Sequence, residues 1–241
     1  MWFLQRGVSI MKKEYLDDLV VRMAHHSTAI EGNTLTQGET KSILIDDVIP
    51  RQMGNREFYE VFNYRNFIKY LDKNYKEKMT IEGIKEIHKI LLENIRDDNG
   101  KFKKIKNIVL GASFTPTPPY MVIESLGNWI ENLDFALKNA HSKEEKIGAI
   151  MESHLRFEHI HPFSDGNGRV GRALIVLYCL KENIPPIVIE KEQREQYIAA
   201  LNNEDKKELR NLGIELSEKE RIRQKLIKGM IRERQRGEVE R

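Results

Sequence analysis

A single cysteine, Cys179, stands in the 241 residues. It has no partner in its own chain, which excludes an intrachain disulfide framework and sets the expectation of a reducing, cytoplasmic home. Zinc-type ligand sets are also missing. His154 and His161 lie seven apart, His159 falls off their face, and no cysteine or acidic trio joins these or His25-His26. No Gly-x-x-x-x-Gly-Lys-[Ser/Thr] loop occurs, so a P-loop nucleotidase is not supported. No apolar run is long enough to span a bilayer. The apolar start Met1-Trp2-Phe3-Leu4 lacks signal-peptide order and a cleavage site. Neither charge sign dominates, with 40 Lys and Arg against 37 Asp and Glu. The excess sits in residues 218–241, where nine basic residues meet five glutamates. The remainder is nearly neutral, which makes a nucleic-acid partner improbable and reads the tail as a solvated helix.

What is present is helical periodicity. With 40% apolar residues the chain can bury a sizeable core. Residues 11–30 place Tyr15, Leu16, Leu19, Val20 and Met23 on one face. Thr36 and Glu39 have capping-box spacing, opening a helix to about Val48, with Pro50 beyond it. Further helices are expected at 55–71, from the Thr80 cap to about Ile95, at 124–139 and at 142–159. After Pro185-Pro186 two more follow, at about 191–202 and 204–235. The one strand-like region is 107–122, where Ile108-Val109-Leu110 and Tyr120-Met121-Val122 flank a proline-rich tip. The fold expected is mainly α, a helical bundle with one short β-hairpin. Residues 1–203 form its domain and 204–241 a charged helical extension.

The densest chemistry lies in His161-Pro162-Phe163-Ser164-Asp165-Gly166-Asn167-Gly168-Arg169-Val170-Gly171-Arg172. A near-continuous apolar run, Ala173 to Leu180, follows and reads as a buried helix. A helix start binds anions through unpaired N–H groups and the macrodipole. Gly166 and Gly168 let the backbone approach a phosphate closely. Arg169 and Arg172 are three apart and share a face, with planar forks suited to phosphate oxygens. Asp165 is a hard oxygen ligand of the kind Mg²⁺ uses beside substrate phosphates. His161 has an unperturbed pKa suited to proton transfer near neutrality.

These residues resemble the signature of the Fic-domain family, His-Pro-Phe-x-Asp-Gly-Asn-Gly-Arg-x-x-Arg, at every fixed position. The resemblance extends over about residues 11–203. It implies a Fic-type helical bundle and transfer of AMP from ATP to a hydroxyl on a target protein, with self-modification as a further outcome. It assigns the base to His161, Mg²⁺ to Asp165, and the phosphates to Gly166, Asn167, Gly168, Arg169 and Arg172, with the Asn167 side chain beside them. Gly168, where a kinase-type branch has lysine, favours AMP transfer. A kinase or other phospho-group transferase on the same fold, and a non-enzymatic helical scaffold with a basic tail, remain the rival readings.

A second segment, Ser27-Thr28-Ala29-Ile30-Glu31-Gly32, looks by itself like an ordinary helix C-terminus, with Glu31 at the unfavourable end of the macrodipole. It also resembles the family's inhibitory-helix motif, [Ser/Thr]-x-x-x-Glu-[Gly/Asn]. That likeness implies that Ser27 and Glu31 belong to an inhibitory helix and that Glu31 pairs with Arg172. The strand-like segment resembles the family's flap, which would dock a target through Phe114, Thr115, Pro116 and Thr117. Lys103-Lys104 departs from the family, which often has an arginine there. Self-association into a homo-oligomer is compatible with the sequence, and no membrane partner is expected.

Overall fold

The computed structural model describes residues 13–108 and 114–239. Among them every regular element is helical. The α-helices are α1 (Lys13–Ile30), α2 (Gln37–Leu44), α3 (Asn55–Asn74), α4 (Ile81–Leu91), α5 (Val122–Asn139), α6 (Lys143–Ile160), α7 (Asn167–Lys181), α8 (Arg194–Asn202) and α9 (Lys206–Val239). Caps begin several of them where the sequence places them. Thr36 accepts from the Glu39 N–H while the Glu39 side chain accepts from the Thr36 N–H, and Thr80 and Ser142 cap α4 and α6 through their hydroxyls.

The centre of the fold is α7. From Arg169 to Cys179 every residue is buried, because α1, α4 and α6 surround it. Its apolar run therefore meets protein on all sides. Cys179 is part of this core, and burial pushes its thiol up to about 12, leaving it inert. Leu209, Leu212 and Leu216 bring the first half of α9 into the same core, against α6. No described helix is long and apolar enough to cross a membrane.

Among the described residues no strand of the expected hairpin is found. Val109 and Leu110, in its first arm, fall outside the described residues. Its second arm is helical: Pro119–Met121 form one 3₁₀ turn that leads directly into α5. Proline pre-sets φ for a helix start and its missing N–H costs nothing there. The apolar spacing beyond it, Val122, Leu126, Trp129, Ile130, Leu133 and Leu137, buries one helix face, which outweighs the alternation over three residues.

Two helices stop earlier than expected. Helix α2 ends at Leu44 rather than Val48, because Arg65 of α3 donates to the carbonyls of Ile43 and Leu44 and Asp47 takes φ 56°. Helix α4 ends at Leu91 rather than Ile95, where Asn63 donates to the carbonyls of Leu91 and Glu93. Both stops are made by side chains from another helix, which no local pattern encodes.

A buried polar junction ties α9 to α1. Arg22 donates to Asp18 at 2.9 Å and to Glu220 at 2.8 Å, and Glu220 also accepts from the Tyr15 hydroxyl. Glu220→Ala would strip one charge-assisted partner from a buried guanidinium while Asp18 remains. We expect a loss of about 1.5–3 kcal/mol, read from the midpoint of urea unfolding.

The histidines add a pH dependence. Burial holds His26 and His88 down at about 4 and His154 at about 3. The unfolded chain binds these protons near 6.5, so it carries more protons than the fold between about 4 and 6.5. Their contribution is complete above that window and is lost as pH falls through it. Glu158, pushed up to about 8 by burial, acts in the opposite sense, its contribution fading as pH rises from the ordinary carboxylate range. Three histidines outweigh one glutamate, so the urea midpoint should be lower at pH 5 than at pH 7.

Candidate active site

The site begins where α6 ends. His161 is the C-cap of α6 and adopts a left-handed conformation, φ 47° and ψ 60°, with its N–H donating to the Phe157 carbonyl. That turn throws the chain back across the bundle toward α7. The imidazole Nδ1 lies 3.3 Å from the Glu158 carbonyl. A carbonyl only accepts, so Nδ1 carries the hydrogen and Nε2 is left as the acceptor. Burial first, and the Lys103 charge second, hold His161 down at about 4, so the ring is neutral at physiological pH.

The loop after His161 is fastened from several sides. Phe163 is wholly buried and stacks on His88 with ring centroids 3.7 Å apart. His88 Nδ1 accepts from the Gly100 N–H, so its Nε2 carries the proton and donates to the Asp165 carbonyl at 3.1 Å. The Asn107 amide donates to the Phe163 carbonyl at 3.0 Å. Lys103, buried and lowered to about 8 by that burial, donates to Asn107 and to the Ile160 carbonyl. Its own N–H bonds the Pro162 carbonyl. Gly166 turns the chain at φ 77° into α7.

Asn167 sits differently from the expectation. Its side chain is buried and both amide atoms bond Phe163, accepting from the N–H at 2.9 Å and donating to the carbonyl at 2.8 Å. The amide therefore clasps the loop, and Asn167 has only its backbone N–H to offer an anion. The physical reason is its place as the first residue of α7, directly beneath the loop it closes.

Charge collects at the start of α7. Asp165 accepts from Arg56 at 2.9 Å, from Arg169 at 3.5 Å and from the Gly166 N–H at 2.6 Å. Burial would raise this carboxyl, but Arg169 and Arg56 hold it below the ordinary carboxylate range. Glu60 of α3 accepts from Arg56 at 3.0 Å and Arg169 at 3.3 Å. The four side chains close a ring of alternating charge. The Arg169 Nε within it has no partner although it is buried.

Arg172 completes the set from one turn further along α7. It donates through Nε to the Ser27 hydroxyl at 2.9 Å and through Nη2 to the Ser27 carbonyl at 2.9 Å and the Glu31 carboxylate at 2.6 Å. The guanidinium is buried while the Glu31 side chain is 41% exposed. Burial would raise the Glu31 carboxyl, yet Arg172 holds it low, and Glu31 in turn holds Arg172 high against its own burial. A Cβ added to Gly168 would meet Glu31 Oε1 at 2.5 Å. The carboxylate of the last turn of α1 therefore occupies the anion-attracting start of α7.

Phe114, Thr115, Pro116 and Thr117 run beside this site without a strand. Phe114 stacks on His159 with centroids 4.0 Å apart, and the Thr117 N–H bonds the His159 carbonyl at 3.1 Å. Arg56, Glu60, His88, Lys103, Asn107 and Glu158 were absent from the sequence-derived site. Lys103 carries a signal, as the departure from the family's frequent arginine, and His88 carries one as a polar residue on the buried face of its helix.

As to its relatives, residues 78–179 match the model of the Fic/DOC family. Protein adenylyltransferase fic-1 of Caenorhabditis briggsae is 31% identical over 183 residues, which cover 74% of this chain and 35% of that protein. The chain thus spans about a third of the length of the curated relatives it matches. In structure it is similar to a Fic-domain-containing signalling protein from Bacteroides thetaiotaomicron, with a TM-score of 0.80 at 22% identity over 91% of this chain and 93% of that one. It is also similar to Fic-1 from C. elegans, with a TM-score of 0.71 at 25% identity over 95% of this chain and 68% of that one. With the full signature at 161–172 set at the start of a buried helix, the chain is a Fic/DOC-domain protein related to the protein adenylyltransferases at about 30% identity.

Proposed function

We propose that the protein transfers AMP from ATP to a Ser, Thr or Tyr hydroxyl of a target protein, and to itself, and that Glu31 restrains the transfer. The observation that carries this reading is the convergence of His161, Asp165, Arg169 and Arg172 on the N-terminus of α7. His161 Nε2 takes the hydroxyl proton as the oxygen attacks the α-phosphate. The N–H groups of Asn167 and Gly168 offer an anion hole, joined by that of Gly166 once it leaves the Asp165 carboxylate. Arg169 and Arg172 hold the outer phosphates. Phe114–Thr117, fastened to the end of α6, present the target segment.

Asp165 suits Mg²⁺ in the manner of sites that supply one carboxylate and leave the other ligands to phosphates and water. When bound there, Mg²⁺ would offset charge on the phosphates and the departing pyrophosphate. Asp165 and Arg56 would have to part for that. The single buried cysteine suits a reducing compartment.

Incubation with α-labelled ATP and Mg²⁺ should label the protein or a target in a cell extract, and γ-labelled ATP should leave no label. Label from the γ position alone would establish a kinase instead. His161→Ala should lower transfer by about 10²–10⁴-fold while nucleotide still binds, measured by calorimetry alongside the labelling assay.

Restraint follows from competition. Glu31 neutralises Arg172 and places negative charge at the start of α7, where the γ-phosphate would lie. The Glu31 end of this pair is 41% exposed, so a partner or a small shift of the segment can draw the carboxylate away. Glu31→Ala should raise AMP transfer by roughly tenfold or more, and Arg172→Ala added to it should abolish the gain. Equal rates for wild type and Glu31→Ala across a range of ATP concentrations would show that the α1 terminus is only structural.

A further inference from the structure

One carboxyl beside the site is unexplained by the roles above. Glu158, on the last turn of α6, is 8% exposed, and its Oε1 has no hydrogen-bond partner. A buried carboxyl left unbonded is costly, so its retention calls for a reason. Space has been made for it. A Cβ added to Gly171 of α7 would meet Glu158 Oε1 at 2.5 Å and His154 Nδ1 at 2.8 Å, so glycine at 171 gives both side chains their room.

The carboxyl lies between two imidazoles. Oε1 is 3.9 Å from His154 Nδ1 and Oε2 is 3.9 Å from His161 Nδ1. His154 is occupied elsewhere, with its Nε2 2.6 Å from the Tyr197 hydroxyl, and burial pushes it down to about 3, so it stays neutral. Arg172 of α7 favours the charged form of Glu158, and Glu31 of α1 opposes it. His161 is thus the one neighbouring histidine whose charge would change during a reaction.

We propose that Glu158 is a positioning residue for the reaction, its carboxylate providing the counter-charge behind Nδ1 of His161 while Nε2 accepts the proton of the target hydroxyl. This rests on His161 being the base. The hydroxyl O–H bond breaks and its proton moves to Nε2. The freed oxygen forms the new bond to the α-phosphorus and pyrophosphate leaves with the electron pair of the broken P–O bond. Glu158 gains and loses no proton in the step. The Glu158 backbone carbonyl fixes the ring, and the side chain stabilises the imidazolium, a division that a backbone carbonyl alone cannot supply because it carries no net charge.

The proposal answers a difficulty in the site. A base held at about 4 has little affinity for a proton. A carboxylate within 4 Å, shielded from water, restores that affinity as the proton arrives. Burial holds Glu158 up at about 8, so the counter-charge becomes available as pH rises toward that value.

The test uses the full chain carrying Glu31→Ala, in which AMP transfer is measurable. Glu158→Gln keeps the shape of the neutral acid and cannot ionise. It should lower kcat by about tenfold, leave the KM for ATP unchanged, and remove the rise in kcat between pH 7 and 9. The His161 ring signal, followed by NMR, should shift as Glu158 ionises between pH 7 and 9, and Glu158→Gln should remove that shift. A fall in kcat with the pH profile and the His161 shift unchanged would mean a structural role and overturn the proposal. If Glu158→Gln does not fold, the Glu158 carboxyl can be followed by carbon NMR without that substitution. There its ionisation should shift the His161 signal, and independent titrations would overturn the proposal. Full activity in His161→Ala would overturn the base itself, and loss of activity there with no effect of Glu158→Gln would overturn only the role of Glu158.

Discussion

Two guanidinium groups are buried near the start of a helix that is itself buried, and this one constraint shapes the rest of the site. Arg169 and Arg172 cannot lie in the core unless their charges are met. Three segments supply the partners. Helix α1 brings Ser27 and Glu31, α3 brings Glu60, and the loop before α7 brings Asp165. The bundle is arranged so that its acidic groups converge on α7. A polyphosphate presents the same kind of oxygen, so under the proposed function the interactions that stabilise the resting fold are the ones a nucleotide would exchange with.

Around that centre the loop 161–166 is held with little freedom. His161 is fixed by its left-handed turn, Phe163 by the His88 ring, and the two ends of the loop are joined through Asn167. Lys103 and Asn107 fasten it from the other side. Such a loop loses little entropy on binding, and its N–H groups are already oriented. Lys103, at the departure from the family's frequent arginine, carries out its fastening with one ammonium group and one backbone N–H. Burial lowers it to about 8, so it presses less positive charge on His161 than an arginine would.

The helices were legible in the sequence because their signals are local. Thr36 with Glu39, Thr80 and Ser142 start helices through bonds to residues three positions away. The candidate site in residues 161–172 was legible for the same reason, since its chemistry is written in twelve consecutive residues. The strand reading of 120–122 failed because three apolar residues fit two periods, and Pro119 with the longer pattern of α5 decides between them. The ends of α2 and α4 were illegible because Arg65 and Asn63 reach them from another helix.

The sequence by itself determined that the chain would be helical, that residues 161–172 would lead into a buried helix, and that a histidine, a carboxylate and two arginines would stand close together. Contiguity is enough for those statements. Only the tertiary structure decided which groups those residues meet. It brings Glu31 to Arg172 across 141 positions and Arg56 to Asp165 across 109. It also turns the Asn167 amide into a clasp and leaves Glu158 Oε1 without a hydrogen-bond partner behind His161. Pairing of charge over such separations depends on how helices pack, and packing is set by the whole core rather than by any one segment.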